Sequence, residues 1–186
     1  MVKAKITHMG RLLLSTTTAV SLIFITSIAT AQTSFTVTME NPSSHMFHVT
    51  MEVSNLKSTS TEFKIPVWTP GYYQLLNFQN GVENIKAEAG GKSLNIEKKE
   101  ANSWLVTNGT EKKITLNYDI KTVRSFVATP YIDEERAYIS PPGVFLHEAG
   151  KINQPVTVTI VPNPKWNRVA TGLDKIVAAM GATEFF

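Results

Sequence analysis

Phe47-His48-Val49-Thr50-Met51-Glu52-Val53 is the stretch on which the fold turns. Apolar side chains alternate with polar ones at every position. In an extended chain successive side chains point to opposite faces, so Phe47, Val49, Met51 and Val53 share one face and His48, Thr50 and Glu52 the other. That pattern is a strand buried on one side, and it cannot be read as a helix of period 3.6. The same alternation recurs in Ile114, Leu116, Tyr118 and Ile120 against Thr115, Asn117, Asp119 and Lys121, and in Val156, Val158 and Ile160 against Thr157 and Thr159.

Shorter strands are expected at Phe35–Met39, Glu62–Trp68, Val82–Ala89, Ser93–Glu97, Ser103–Thr107, Ala137–Ser140 and Trp166–Ala170. Gly90-Gly91 predicts a two-residue hairpin, and Asn108-Gly109 a second one. The best helical stretch, Asp174–Met180, is short. Many short strands with close turns specify an all-β fold, an antiparallel β-sandwich or strongly curved sheet with little helix.

Residues 1–31 read as an export signal. Lys3, Lys5 and Arg11 lead, Leu12 to Ile28 is apolar with interspersed Ser and Thr, and Ala29-Thr30-Ala31 fits cleavage before Gln32. The apolar run is short and diluted by hydroxyls, which favours removal over anchoring. The predicted location is therefore periplasmic or secreted, with no membrane contact after signal removal. The whole chain of 186 residues carries a formal +3, but the leader holds three of its 18 basic side chains and none of its 15 acidic ones. The remaining 155 residues are neutral and lack a basic run with interleaved aromatics, so no nucleic-acid partner is expected. There is no cysteine, so stability must come from packing. The domain division is 1–31 signal, 32–175 β-rich domain, and 176–186 the start of a linker. The terminal Phe185-Phe186 is read as a cut end.

Val144-Phe145-Leu146-His147-Glu148-Ala149-Gly150-Lys151 superficially matches a zinc-binding His-Glu-x-x-His helix. Such a helix needs its second histidine one turn on, so that both imidazoles reach one metal. Lys151 stands there, and its ammonium repels a dication. Gly150 and Pro141-Pro142-Gly143 also oppose a helix. The stretch reads instead as a His-Glu pair at a strand end, followed by an Ala-Gly-Lys turn. His45 and His48, three apart in what reads as one strand, should face opposite sides. No metal or other cofactor site is expected in this chain. The run Asp133-Glu134-Glu135 beside Arg136 reads as a solvated loop, and no nucleophile–base pairing supports an autonomous hydrolase.

The most distinctive segment is Ile65-Pro66-Val67-Trp68-Thr69-Pro70-Gly71-Tyr72-Tyr73. Pro70 fixes one φ and Gly71 accepts a positive one, so Thr69–Tyr72 fits a type II turn. Trp68 is expected to be buried beside it, with at least one of Tyr72 and Tyr73 at the surface. This segment resembles the signature of the N-terminal domain of the glycyl aminopeptidase family of gluzincin metallopeptidases. Val82–Ala87 with Gly91, Trp104, Tyr118, Ala137–Leu146, Pro164-x-Trp166 and Ala170–Leu173 follow in the family's order, so the likeness spans roughly residues 34 to 175. It implies a non-catalytic accessory domain of an exported zinc aminopeptidase. The partners implied are the parent's catalytic domain and, through it, peptide substrate. Zinc and its His-Glu-x-x-His helix would belong to the following module. Trp68, Pro70, Gly71, Tyr72 and Tyr73 are the candidate cleft or interdomain contacts. Family members often carry an arginine soon after this turn, and Gln74-Leu75-Leu76-Asn77 has none. The residues alone leave a second reading open: a free-standing secreted β-sandwich that binds peptide or carbohydrate.

Overall fold

The computed structural model describes residues 32–122, 126–176 and 183–185. Residues 1–31, the stretch read as an export signal, therefore lie outside the described residues. The described part is 43% strand and only 8% helix. In order, the strands are β1 (Thr33–Thr38), β2 (Met46–Val53), β3 (Ser60–Lys64), β4 (Val82–Ala89), β5 (Lys92–Ser93), β6 (Asn95–Glu100) and β7 (Ser103–Thr107). They continue as β8 (Ile114–Lys121), β9 (Tyr131–Ile132), β10 (Ala137–Tyr138), β11 (His147–Glu148), β12 (Val156–Val161), β13 (Lys175–Ile176) and β14 (Thr183–Phe185). One helical turn, α1 (Pro141–Val144), precedes β11.

Eight strands form one sheet in the order β13-β14-β12-β1-β2-β8-β4-β5, and four form another, β11-β3-β7-β6. The hairpin of β9 and β10 stands apart as a two-stranded sheet. The pairing is antiparallel except between β1 and β12, which run parallel with Phe35 opposite Val158. The inner faces of the two larger sheets share one core. The large sheet contributes Val37, Phe47, Val49, Met51, Leu116 and Ile120, and the small one Phe63, Trp104 and Val106. These are the alternating apolar positions, so period two decides which face is buried.

Gly90 and Gly91 both have positive φ, +54° and +76°, and join Ala89 to its partner Lys92 as the hairpin reading requires. Asn108-Gly109 does not make a hairpin. β7 belongs to the small sheet and β8 to the large one, so this turn carries the chain between layers. Asn108 is buried there. Its Oδ1 accepts from Thr61 Oγ1 at 3.0 Å, and its Nδ2 donates to the carbonyls of Ser58 and Glu111 at 2.7 and 3.1 Å.

Three other expected elements differ. The strand expected at Ser93–Glu97 breaks at Leu94, whose N–H donates to Ala87 O at 2.8 Å. β5 stays with the large sheet while β6 crosses to the small one. Trp166–Ala170 is not a strand. Pro162 and Pro164 precede it, and Trp166 N–H closes a turn on Asn163 O at 2.9 Å. At Asp174–Met180, Lys175–Ile176 is extended rather than helical and pairs with β14, and residues 177–180 lie outside the described residues. Thr183–Phe185, in the stretch read as the start of a linker, pairs with β12.

Candidate functional site

Strand β3 stops at Lys64 because the chain soon meets Pro66, which has no N–H for a ladder. Ile65 is the last fully buried residue before the loop, and Asn102 clamps it from both sides. The Asn102 carbonyl accepts from Ile65 N–H at 3.0 Å, and its Nδ2 donates to Ile65 O at 2.8 Å. The excursion that follows is closed by Leu76 N–H donating to Val67 O at 2.8 Å. Inside it Tyr72 N–H reaches Thr69 O at 3.3 Å and Gly71 has φ +88°, as a type II turn at Pro70-Gly71 requires. Buried Phe78 anchors the far end.

The loop turns its apolar side chains outward. Tyr73 is fully exposed, and Trp68 and Leu75 are 55% and 68% exposed. Burial of Trp68 was expected and does not occur. Ile65 takes the core parity, which leaves Pro66 and Trp68 on the opposite side, and the sheet has already ended. The buried indole of the core is Trp104, at 4% exposure. Tyr72 is half-buried and meets Phe126 edge-on, with ring centroids 5.1 Å apart. That contact ties the loop to the segment carrying exposed Val127. Pro70 and Gly71 are exposed at the turn. The five residues singled out in the sequence thus lie on one protruding loop, with Leu75 and Val127 as apolar neighbours that alternation did not mark.

His147 and Glu148 form β11 at the edge of the small sheet, His147 opposite Lys64 and Glu148 opposite Phe63. Gly150 has φ +82°, and Lys151 N–H donates to Glu148 O at 2.9 Å, so the pair ends a strand and a turn follows. Lys151 Nζ lies 2.7 Å from Glu148 Oε1. The position a second zinc ligand would need is therefore filled by a cation already paired with the glutamate. His45 and His48 are separated for a different reason than expected. His45 precedes β2 in a left-handed conformation, and its Nδ1 bonds Ile132 O at 2.8 Å. His48 faces solvent and pairs with Asp119 at 2.5 Å. Among the described residues no three His, Cys, Asp or Glu side chains converge as a metal site would need. Among the described residues the donors present do not suit a zinc ion.

Beside β11 the outer face of the small sheet carries an ion-pair network. Glu62 lies 2.7 Å from Lys99 and 3.2 Å from Lys64, and Lys64 lies 3.1 Å from Glu100. The Lys99 hydrogen bond is the main cause that holds the Glu62 carboxyl down at about 2, against some opposition from burial. Lys64 is raised by Glu100 and then Glu62. His147 is lowered by burial and then by the Lys64 charge, and its Nδ1 is buried without a partner.

A groove of about 740 Å³ opens between the β9–β10 hairpin and the segment after Pro162. Asp133-Glu134-Glu135 is the exposed turn of that hairpin, where Asp133 Oδ1 accepts from the N–H groups of Glu135 and Arg136. Trp166 Nε1 donates to Glu134 O at 3.1 Å and props the hairpin. Sequence reading did not find this groove. Its residues come from separated stretches, and those that the sequence marked, Glu135-Arg136, Ala137–Leu146, Trp166 and Ala170–Leu173, were each marked for another reason.

The sequence profile of the peptidase M61 N-terminal domain matches residues 34–186. Among solved structures, the chain is similar to an aminopeptidase N family protein from Idiomarina loihiensis, with a TM-score of 0.74 and 21% identity. The match covers 82% of this chain and 26% of that one, so this chain spans about a quarter of that protein's length. At that identity the likeness is one of fold. No curated protein matches the sequence significantly.

Proposed function

The chain belongs to the peptidase M61 N-terminal domain family, and from that premise we propose that it is the non-catalytic accessory domain of an exported zinc aminopeptidase. The observation that carries this reading is the outward loop of Trp68, Tyr72 and Tyr73 on a domain of that family. Soluble domains seldom hold an indole, a phenol and a leucine in water on one loop unless something covers them. The proposed cover is the catalytic domain, with Trp68, Pro70, Gly71, Tyr72 and Tyr73 forming a wall of its peptide cleft. Rigidity suits that role: the Pro70-Gly71 turn and the Leu76–Val67 closure hold the aromatic side chains at low entropic cost. Zinc and its activated water would reside in the catalytic domain. Export rests on the leader of Lys3, Lys5 and Arg11 and on Ala29-Thr30-Ala31.

The coding frame beyond Phe186 tests the reading. A His-Glu-x-x-His segment should follow in frame, and a stop codon or an unrelated domain there would overturn the proposal. In the longer protein, replacing Trp68 and Tyr73 by Ala should raise KM for peptides or loosen the domains against protease. Unchanged kinetics together with unchanged proteolysis would remove the loop from the cleft.

A further inference from the structure

The groove between the β9–β10 hairpin and the Pro162–Leu173 segment combines two features that point to one kind of ligand. The first is charge. Its floor is apolar, built by Met39, Phe145 and Ile160, while Arg136, Lys165 and Arg168 line it against a single carboxylate, Glu135. Among the described residues none of the three cations belongs to an ion pair. Arg136 rests over the Tyr131 ring at 5.8 Å, and Lys165 and Arg168 are exposed. Uncompensated cations above an apolar floor select an anion with an apolar side.

The second feature is a free strand edge. Among the described residues β10 has β9 as its one neighbour. Asp133 N–H donates to Arg136 O at 3.0 Å, which makes 133 and 136 a hydrogen-bonded pair. Antiparallel pairs alternate in kind, so the next pair, Ile132 and Ala137, is not hydrogen-bonded. The N–H and C=O of Ala137 therefore point away from β9. Ala137 and Ile139 both line the groove. An extended chain laid along that edge gains main-chain bonds and sends alternate side chains to floor and rim.

We propose that this groove docks an extended segment of a separate polypeptide with alternating apolar and acidic side chains, added as a strand to β10. Its apolar side chains would cover the floor, and its carboxylates would meet Lys165, Arg168 and Arg136. The groove's size suits a few residues of such a strand. This inference is independent of the peptidase reading.

Fluorescence anisotropy of the purified chain with a labelled decapeptide of alternating valine and glutamate tests it. Alternating valine and lysine serves as the control peptide. The glutamate peptide should bind about tenfold more tightly than the lysine peptide, and more weakly as salt is raised. Reversing both exposed charges, Lys165→Glu with Arg168→Glu, should invert the preference. Ala137→Pro removes an N–H that β9 does not use, so it should weaken binding of the glutamate peptide about tenfold at unchanged melting temperature. If that variant melts early, the charge-reversal pair still decides. No binding, equal binding of the two peptides, or indifference to charge reversal would overturn the proposal. Self-association of the chain that the charge reversal abolishes would make a second copy the occupant and would overturn it too. So would binding lost when the chain is continued into a following domain.

Discussion

The Tyr118 hydroxyl donates to the Val144 carbonyl across 3.1 Å within the core, tying β8 to α1. The same oxygen accepts from Leu146 N–H at 3.2 Å. Burial raises the Tyr118 pKa, with the Leu146 hydrogen bond opposing only in part, so the phenol stays protonated and able to donate. Tyr118→Phe keeps the ring and strands a buried carbonyl and a buried N–H together. It should cost about 1–3 kcal/mol in urea unfolding, and a loss below 0.5 kcal/mol would show that water replaces the hydroxyl.

The two indoles should behave oppositely. Trp104→Ala removes a buried side chain, with Lys98 Nζ 5.1 Å from its ring, and should cost about 3–5 kcal/mol. Trp68→Ala removes a side chain more than half in water and should change stability by less than about 0.5 kcal/mol. Denaturant melts in which Trp68→Ala destabilised the domain strongly would show that the loop is part of the folding core.

Acid should weaken the domain in two stages, both through groups whose pKa is depressed by folding. A group protonated more readily in the unfolded chain stabilises the native state above its unfolded pKa, and that stability drains away as pH falls. His147 acts first, below the ordinary imidazole value of 6.5. Glu62 acts next, between its ordinary 4.5 and about 2. His147→Gln should flatten the upper part of the curve of stability against pH, and Glu62→Gln the lower part. Thermal melts from pH 8 to pH 3 that superimpose for Glu62→Gln and the parent would rule out its share.

Asn108 should be the costliest polar residue to replace among the turns. It satisfies two carbonyls and a hydroxyl from a buried position. Asn108→Ala should cost about 2–3 kcal/mol. Asn108→Asp should recover little, since its carboxylate cannot donate to Ser58 O or Glu111 O. A charge-tolerant, fully stable Asp variant would contradict this reading of the turn.

The strand faces, the Gly90-Gly91 hairpin, the Pro70-Gly71 turn and the strand-and-turn reading of His147 to Lys151 were all decided by the sequence itself. Each rests on a local rule: period two sets side-chain parity, and glycine admits the positive φ that these turns use. Local rules do not say which strand pairs with which. Asn108-Gly109 has hairpin chemistry, yet the following strand finds β2 and β4 in the other sheet. β1 gains a parallel partner from residues 156–161, and nothing near residue 33 encodes it. Trp68 and Trp104 are the same amino acid with opposite fates, because Ile65 and Phe63 claim the inward parity of β3 while Trp104 stands across from Phe63. The groove has the same origin, since its floor and its cations meet only after the layers have packed. Pairing and burial are sums over residues far apart in the chain, so the tertiary structure alone could place them.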